Sequence, residues 1–198
     1  MKRIVVASKN RNKIREISLA LDSMGIEVLS LEQFDVPEAP ETGDTFIENV
    51  YQKSYFYVKL IGLPVLSDDS GLVIDALEGA PGVYSSHFAG VGASDKDNIK
   101  RVITLLNNKK LKESGAAFKC FMMLTFPDLK GYWSQGELKG KVITKPRGAG
   151  GFGYDPIFIP VGDLRTLAEY TIDEKNRISH RGRALRKLVG ILKGEADV

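Results

Sequence analysis

The chain has 198 residues, of which 43% are hydrophobic and 27% charged, and its formal net charge is +3. These values predict one globular domain over residues 1–198 with a substantial core. There is no apolar run of transmembrane length, and without a long basic stripe the mild charge gives no argument for nucleic acid. The single cysteine, Cys120, excludes an internal disulfide and fits a reducing, cytoplasmic setting.

Residues 3 to 7 read as a buried strand, not as the apolar core of a signal peptide. Ser8-Lys9-Asn10-Arg11-Asn12-Lys13 follows, then a helix with Ile14, Ile17, Leu21 and Met24 on one face and Asn10 as its N-cap. A strand, a polar turn and a helix N-terminus together suit a phosphate, since free N–H groups and the helix dipole both favour an anion. An ordinary capped helix with solvated lysines fits the same residues. The stretch is not a Walker A loop, because the glycines and the Gly-Lys-Ser/Thr ending are absent. Gly25 ends the helix, Glu27 to Leu29 reads as a short strand, and residues 32 to 43 form a loop. Glu41-Thr42-Gly43 leads into a second helix, which opens on a Thr45/Glu48 capping box. Asn49 and Lys53 share one face of that helix, which together with the carboxylate before it could line a cleft but by itself reads as a surface face, while Val50 and Val58 point to a core.

Leu63-Pro64-Val65-Leu66 reads as a buried strand whose end presents Asp68-Asp69-Ser70-Gly71 at a tight turn. Adjacent carboxylates repel, and a fold that keeps them together usually supplies a cation. Hard oxygen ligands suit Mg²⁺; two solvated aspartates at an Asx-turn are the plainer alternative. Residues 79 to 88 are irregular at their start, and His87 and Cys120 read as structural. Asp95 to Leu106 reads as a helix, and residues 116 to 126 pair with a return strand near 132 to 142 in a hairpin. Gly148-Ala149-Gly150-Gly151-Phe152-Gly153 matches G-x-G-x-x-G, yet a strand-like Ile157-Phe158-Ile159 follows where the dinucleotide fingerprint needs a helix. Phe152 suits stacking on a flat base, or is simply a core aromatic in a loop. Thr166 to Glu169 and Thr171 to Glu174 repeat the capping pattern, and Ser179 caps a last helix with Leu185, Leu188, Val189 and Leu192 buried. His180 and Arg181 fall in its first turn, where positive charge opposes the dipole; this suggests a use, or else a basic surface loop.

Taken together, Ser8-x-Asn10-x-x-Lys13, Glu41-Thr42-Gly43 with Phe46-Ile47-Glu48-Asn49, Asp68 to Leu72, Ala80 to Ser85, Gly151 to Pro156 and Ser179 to Gly182 occur in family-like order. The chain closely resembles the inosine/xanthosine triphosphate pyrophosphatase family from residue 4 to about residue 192. The resemblance implies an elongated α/β fold, with a mixed twisted sheet, flanking helices and two lobes around a central cleft. It also implies a cytoplasmic homodimer that uses Mg²⁺ to hydrolyse ITP, dITP and XTP to monophosphate and pyrophosphate. Residue by residue, it assigns Ser8, Lys9, Asn10, Arg11, Asn12 and Lys13 to the triphosphate, and Glu41 and Asp69 to the metal with Asp68 in support. Asp69 is the implied general base, and Lys53 and Ser70 touch phosphate or sugar. Phe152, Gly153, Tyr154, Asp155, Lys175, His180 and Arg181 build the nucleoside pocket. Ser85-Ser86-His87 stands where the family commonly has Ser-Ala-Arg, so an arginine contact at that place is in doubt.

The residues then give a chemistry. Donors at Arg181 or His180 would accept a 6-oxo edge and reject adenine. A pyrophosphatase for a pyrimidine or modified nucleotide is the near alternative, and it should lack the Phe-Gly-Tyr-Asp and Ser-His-Arg blocks. A polynucleotide-binding protein is the distant alternative, and it leaves Glu41, Asp68 and Asp69 unexplained.

Overall fold

The computed structural model describes residues 3–22 and 24–194. Its strands are β1 (Arg3–Val6), β2 (Glu27–Ser30), β3 (Val65–Ile74), β4 (Glu113–Thr125), β5 (Gly131–Ile143) and β6 (Phe158–Pro160). Its helices are α1 (Arg11–Asp22), α2 (Phe46–Ile61), α3 (Asp95–Asn108), α4 (Ile172–Ile178) and α5 (His180–Lys193). The described strands form one mixed sheet in the order β2-β1-β3-β4-β5-β6. β1 runs parallel to β2 and β3, with Val5 opposite Leu29 and Val65, whereas β6 runs antiparallel to β5, with Lys141 opposite Ile159. No described helix is long and apolar enough to cross a membrane.

The chain divides into two compact units. The first comprises the described chain up to Asp69, Cys120–Gly136 and the part from Arg181 on; the second comprises Ser70–Lys119 and Glu137–His180.

In the first unit, alternation along β3 decides which helix covers which face. Leu66 and Asp68 share one face, and Val65, Ser67 and Asp69 share the other. Leu66 packs in a cluster with Ile4, Ile17, Met122, Leu185 and Leu188, which places α1 and α5 on its face. Val65 packs with Val5, Tyr57 and Val58, which places α2 on the opposite face. Each large apolar side chain buried in this way contributes about 1.5–3 kcal/mol. The helix starts follow the sequence. Asn10 Oδ1 accepts from the N–H groups of Asn12 and Lys13 at 3.0 and 3.2 Å, and Thr45 and Glu48 form the reciprocal box that opens α2. Gly62, in the left-handed region at φ 70°, closes α2.

In the second unit, Leu72, Ile74, Val102, Leu106, Phe118, Val142 and Phe158 form the core, so α3 packs on the strand segments that belong to it. A side chain at Gly140 would come within 2.3 Å of the Ile159 carbonyl oxygen, so only glycine fits where β5 meets β6.

Two expectations change. β3 does not end at the acidic pair; it runs on through Asp68, Asp69, Ser70 and Gly71 to Ile74. The turn expected there is replaced by extended chain, because both carboxylates find partners on the helices that flank the strand. The hairpin strands are also longer than read from their apolar centres, starting at Glu113 and ending at Ile143.

Candidate active site

The acidic centre lies in the first unit. Asp68, 1% exposed, faces α1 and α5. Its Oδ2 accepts from Lys13 Nζ at 3.2 Å and from the Nε and Nη2 groups of Arg181 at 3.3 and 3.2 Å. Arg181 Nη1 also donates to Glu16, a buried carboxylate on α1. Burial pushes the Asp68 carboxyl up, but Lys13, then Arg181 and Lys53 pull harder, and it is held well below the usual carboxylate range. In this arrangement Asp68 is an ion-pair partner of Lys13 and Arg181. The alternation of β3 turns it away from Asp69.

Asp69, 8% exposed, faces α2. Asn49 Nδ2 donates to its Oδ2 at 3.2 Å. Burial pushes its carboxyl up, Lys53 and Lys13 oppose this, and the charges of Glu41 and Asp68 add to it, leaving its pKa at about 6. Lys53 Nζ lies 2.8 Å from Glu41 Oε1 and donates to the Asp68 carbonyl at 3.2 Å. Burial lowers the Lys53 pKa, yet Glu41 and Asp68 outweigh it and the ammonium is favoured. The Asn49–Lys53 face is thus buried against β3, contrary to the surface face read from the sequence; both residues are under 9% exposed.

The charge of Glu41 raises the proton affinity of Asp69, and a cation would relieve that repulsion. Among the described residues no group of three or more His, Cys, Asp or Glu side chains is placed to hold a metal. Two carboxylates are the number with which Mg²⁺ is held when water and substrate phosphate complete its shell, so the donor set fits that ion.

The first turn of α1 is brought only partly to this centre. Asn10 is occupied as the cap, and Ser8 Oγ accepts from Asn10 N at 3.1 Å, which shapes the turn. Lys13 reaches Asp68. Lys9 instead meets Glu38 at 2.9 Å on the surface, and Arg11 and Asn12 are exposed.

A second cluster lies in the second unit. Asp155 is its pivot: it accepts from Lys175 Nζ at 2.7 Å and from Phe152 N at 2.9 Å. The Lys175 ammonium sits 4.1 Å from the Phe152 ring centroid. A side chain at Gly151, at φ 72°, would strike Asp155, so this glycine makes room for the carboxylate within its own loop. Gly153 N donates to Asp95 at 2.7 Å, and Tyr154 OH donates to the Ser85 carbonyl at 2.8 Å. Ser85 Oγ in turn accepts from Leu72 N at 2.9 Å, so the loop is tied to the segment just after Ser70 and Gly71 on β3. The His180 ring stacks on Phe118, centroids 4.8 Å apart. His87 bonds Ser86 on the surface, and burial pushes the Cys120 thiol up to about 12, as an inert core cysteine requires.

Sequence reading missed Glu16 and the place of Arg181. The signal was present in part: Glu16 lies one residue from the buried Ile17 and three from Lys13, on the inner face of α1.

An α/β protein that sets a buried aspartate and a second carboxylate among lysines, beside a capped strand–turn–helix, belongs with enzymes that act on phosphate anhydrides. More particularly, the chain belongs to the Ham1 family, whose sequence model matches residues 4–191. It is similar to a dITP/XTP pyrophosphatase of Geobacter sulfurreducens, at 47% identity over 95% of each chain. It is also similar to one of Aquifex aeolicus, at 42% identity over 96% of each. Among solved structures, a HAM1 protein from Coxiella burnetii matches with a TM-score of 0.90 and 41% identity, over 98% of this chain and 100% of that one.

Proposed function

We propose that this chain hydrolyses non-standard purine nucleoside triphosphates (ITP, dITP and XTP) to the monophosphate and pyrophosphate. The observation that carries this reading is the Asp69–Glu41 pair set against Lys53 and Lys13, because such a centre receives a polyphosphate and a divalent cation together. In this reading Glu41 and Asp69 hold Mg²⁺, which when bound supplies charge neutralisation to the leaving pyrophosphate. Ser8, Asn10 and the N-terminal N–H groups of α1 bind phosphate oxygens, with Lys13 and Lys53 adding full charges.

Asp69 accepts a proton from the attacking water. Its carboxylate is oriented for this by Asn49, whose Nδ2 donates to Oδ2. The water oxygen bonds to the α-phosphorus as the bridging P–O bond to pyrophosphate breaks in line. Phe152 stacks on the base, with Lys175 and Asp155 holding its ring, and His180 supplies a donor to the 6-oxo edge, while Arg181 acts through its ion pairs with Asp68 and Glu16. Ser70 touches the sugar or phosphate. The working form is a cytoplasmic homodimer in which residues 1–198 act as one catalytic domain.

Hydrolysis of ITP in ¹⁸O-labelled water tests the point of attack. The label appears in the monophosphate if the α-phosphorus is attacked; label in the pyrophosphate instead, or in orthophosphate, would overturn the reading.

A further inference from the structure

We propose that Asn49 is the positioning residue that locks the Glu41 loop to Asp69 and thereby sets the two carboxylates of the metal site. The inference rests on the reading of Glu41 and Asp69 as that site, and it deepens it.

The amide spans two elements. Gly43 N donates to Asn49 Oδ1 at 2.8 Å, and Asn49 Nδ2 donates to Asp69 Oδ2 at 3.2 Å. A backbone N–H can only donate, so the amide oxygen must face Gly43. That leaves the NH₂ group for the carboxylate, and the orientation is fixed by chemistry. Of side chains this size, only an amide both accepts from the loop and donates to the strand. Aspartate would face Asp69 with a like charge, and leucine would leave both partners without this contact.

The loop is packed for this contact. A side chain at Gly43 would come within 2.6 Å of Glu48 Cβ and 2.9 Å of Asn49 Oδ1, so the loop reaches the amide only because residue 43 is glycine. Asn49 is 4% exposed, so its bonds face little competition from water. One turn further along α2, Lys53 holds Glu41 itself at 2.8 Å. The two contacts divide the work: Lys53 neutralises Glu41, and Asn49 fixes the backbone two residues on and ties it to the second carboxylate. Partners of this kind, one bond removed from the ion, orient its ligands.

The test is a titration of nucleotide-free protein with Mn²⁺, followed by electron paramagnetic resonance, on wild type, Asn49→Ala and Gly43→Ala. Asp69→Asn and Glu41→Gln serve as references. Thermal unfolding in EDTA establishes that each variant is folded. Asn49→Ala and Gly43→Ala should each weaken Mn²⁺ binding about 10- to 100-fold. If Asn49→Ala does not fold, Gly43→Ala, which leaves the amide in place, decides alone. Mn²⁺ binding within twofold of wild type in either folded variant overturns the inference. Failure of the underlying reading looks different: Asp69→Asn and Glu41→Gln would then bind Mn²⁺ as wild type does.

Discussion

Asp69 is held in a charged state that its surroundings resist. Burial raises its proton affinity, Glu41 and Asp68 raise it further, and Lys53 and Lys13 offset only part of this, leaving a pKa of about 6. A pKa raised in the folded state means that stability falls as pH rises from the unfolded value near 4 through 6. Asp69→Asn should therefore abolish turnover, by about a hundredfold or more, while unfolding at a higher temperature than wild type above pH 6 in EDTA. The gain should shrink below pH 4, and a variant less stable than wild type at pH 8 would contradict the assignment. Asp68 behaves in the opposite sense. Its burial is outweighed by Lys13 and Arg181, so its carboxyl lies low and its contribution is present above the unfolded value and lost as pH falls. Asp68→Asn leaves Arg181 buried opposite a neutral amide and should cost about 3–5 kcal/mol by urea unfolding at pH 7; a loss under 1 kcal/mol would remove Asp68 from the network. Phe152→Ala removes a stacking surface and should raise the KM for ITP about tenfold with kcat nearly unchanged. Most of these residues could be found in the sequence because carboxylate pairs and capping residues are rare in such order. The partners of Arg181 could not, because Glu16 and Asp68 lie 165 and 113 positions away from it in the chain.

Elements were legible where local chemistry decides them. Asn10 caps α1, the Thr45/Glu48 box opens α2, and the boxes at Thr166 and Thr171 open a 3₁₀ turn and α4. Each is set by residues within four positions of one another. Thr45→Ala should cost about 1 kcal/mol, read as a lower urea midpoint with an unchanged slope; no change would mean that Glu48 alone holds the start of α2. β3 was not legible as one strand. Asp68-Asp69-Ser70-Gly71 carries the composition of a turn, and only Lys13, Arg181 and Asn49, brought from three helices, make extended chain tolerable there. The same long-range packing turned the Asn49–Lys53 face inward. Helical periodicity gives the face, not what covers it.

At the scale of the whole molecule, the mixed α/β class and the family were readable because the motifs run in order along nearly the entire chain, and the Ham1 match over residues 4–191 spans the same stretch. Where the two units divide was not, since the borders fall inside β3, β4, β5 and α5 and leave no linker in the sequence. The first unit carries the acidic centre, and the second carries the Phe152–Lys175 cluster. In the proposed reading Asp69 serves the hydrolysis and Phe152 the choice of base. Product analysis with purified protein and Mg²⁺ addresses both at once, comparing ITP, XTP, ATP, GTP and TTP and following monophosphate, pyrophosphate and orthophosphate separately. Pyrophosphate released rapidly from ITP and XTP, with the other nucleotides nearly inert, is the result expected; orthophosphate as the direct product, or a preference for TTP, would contradict it.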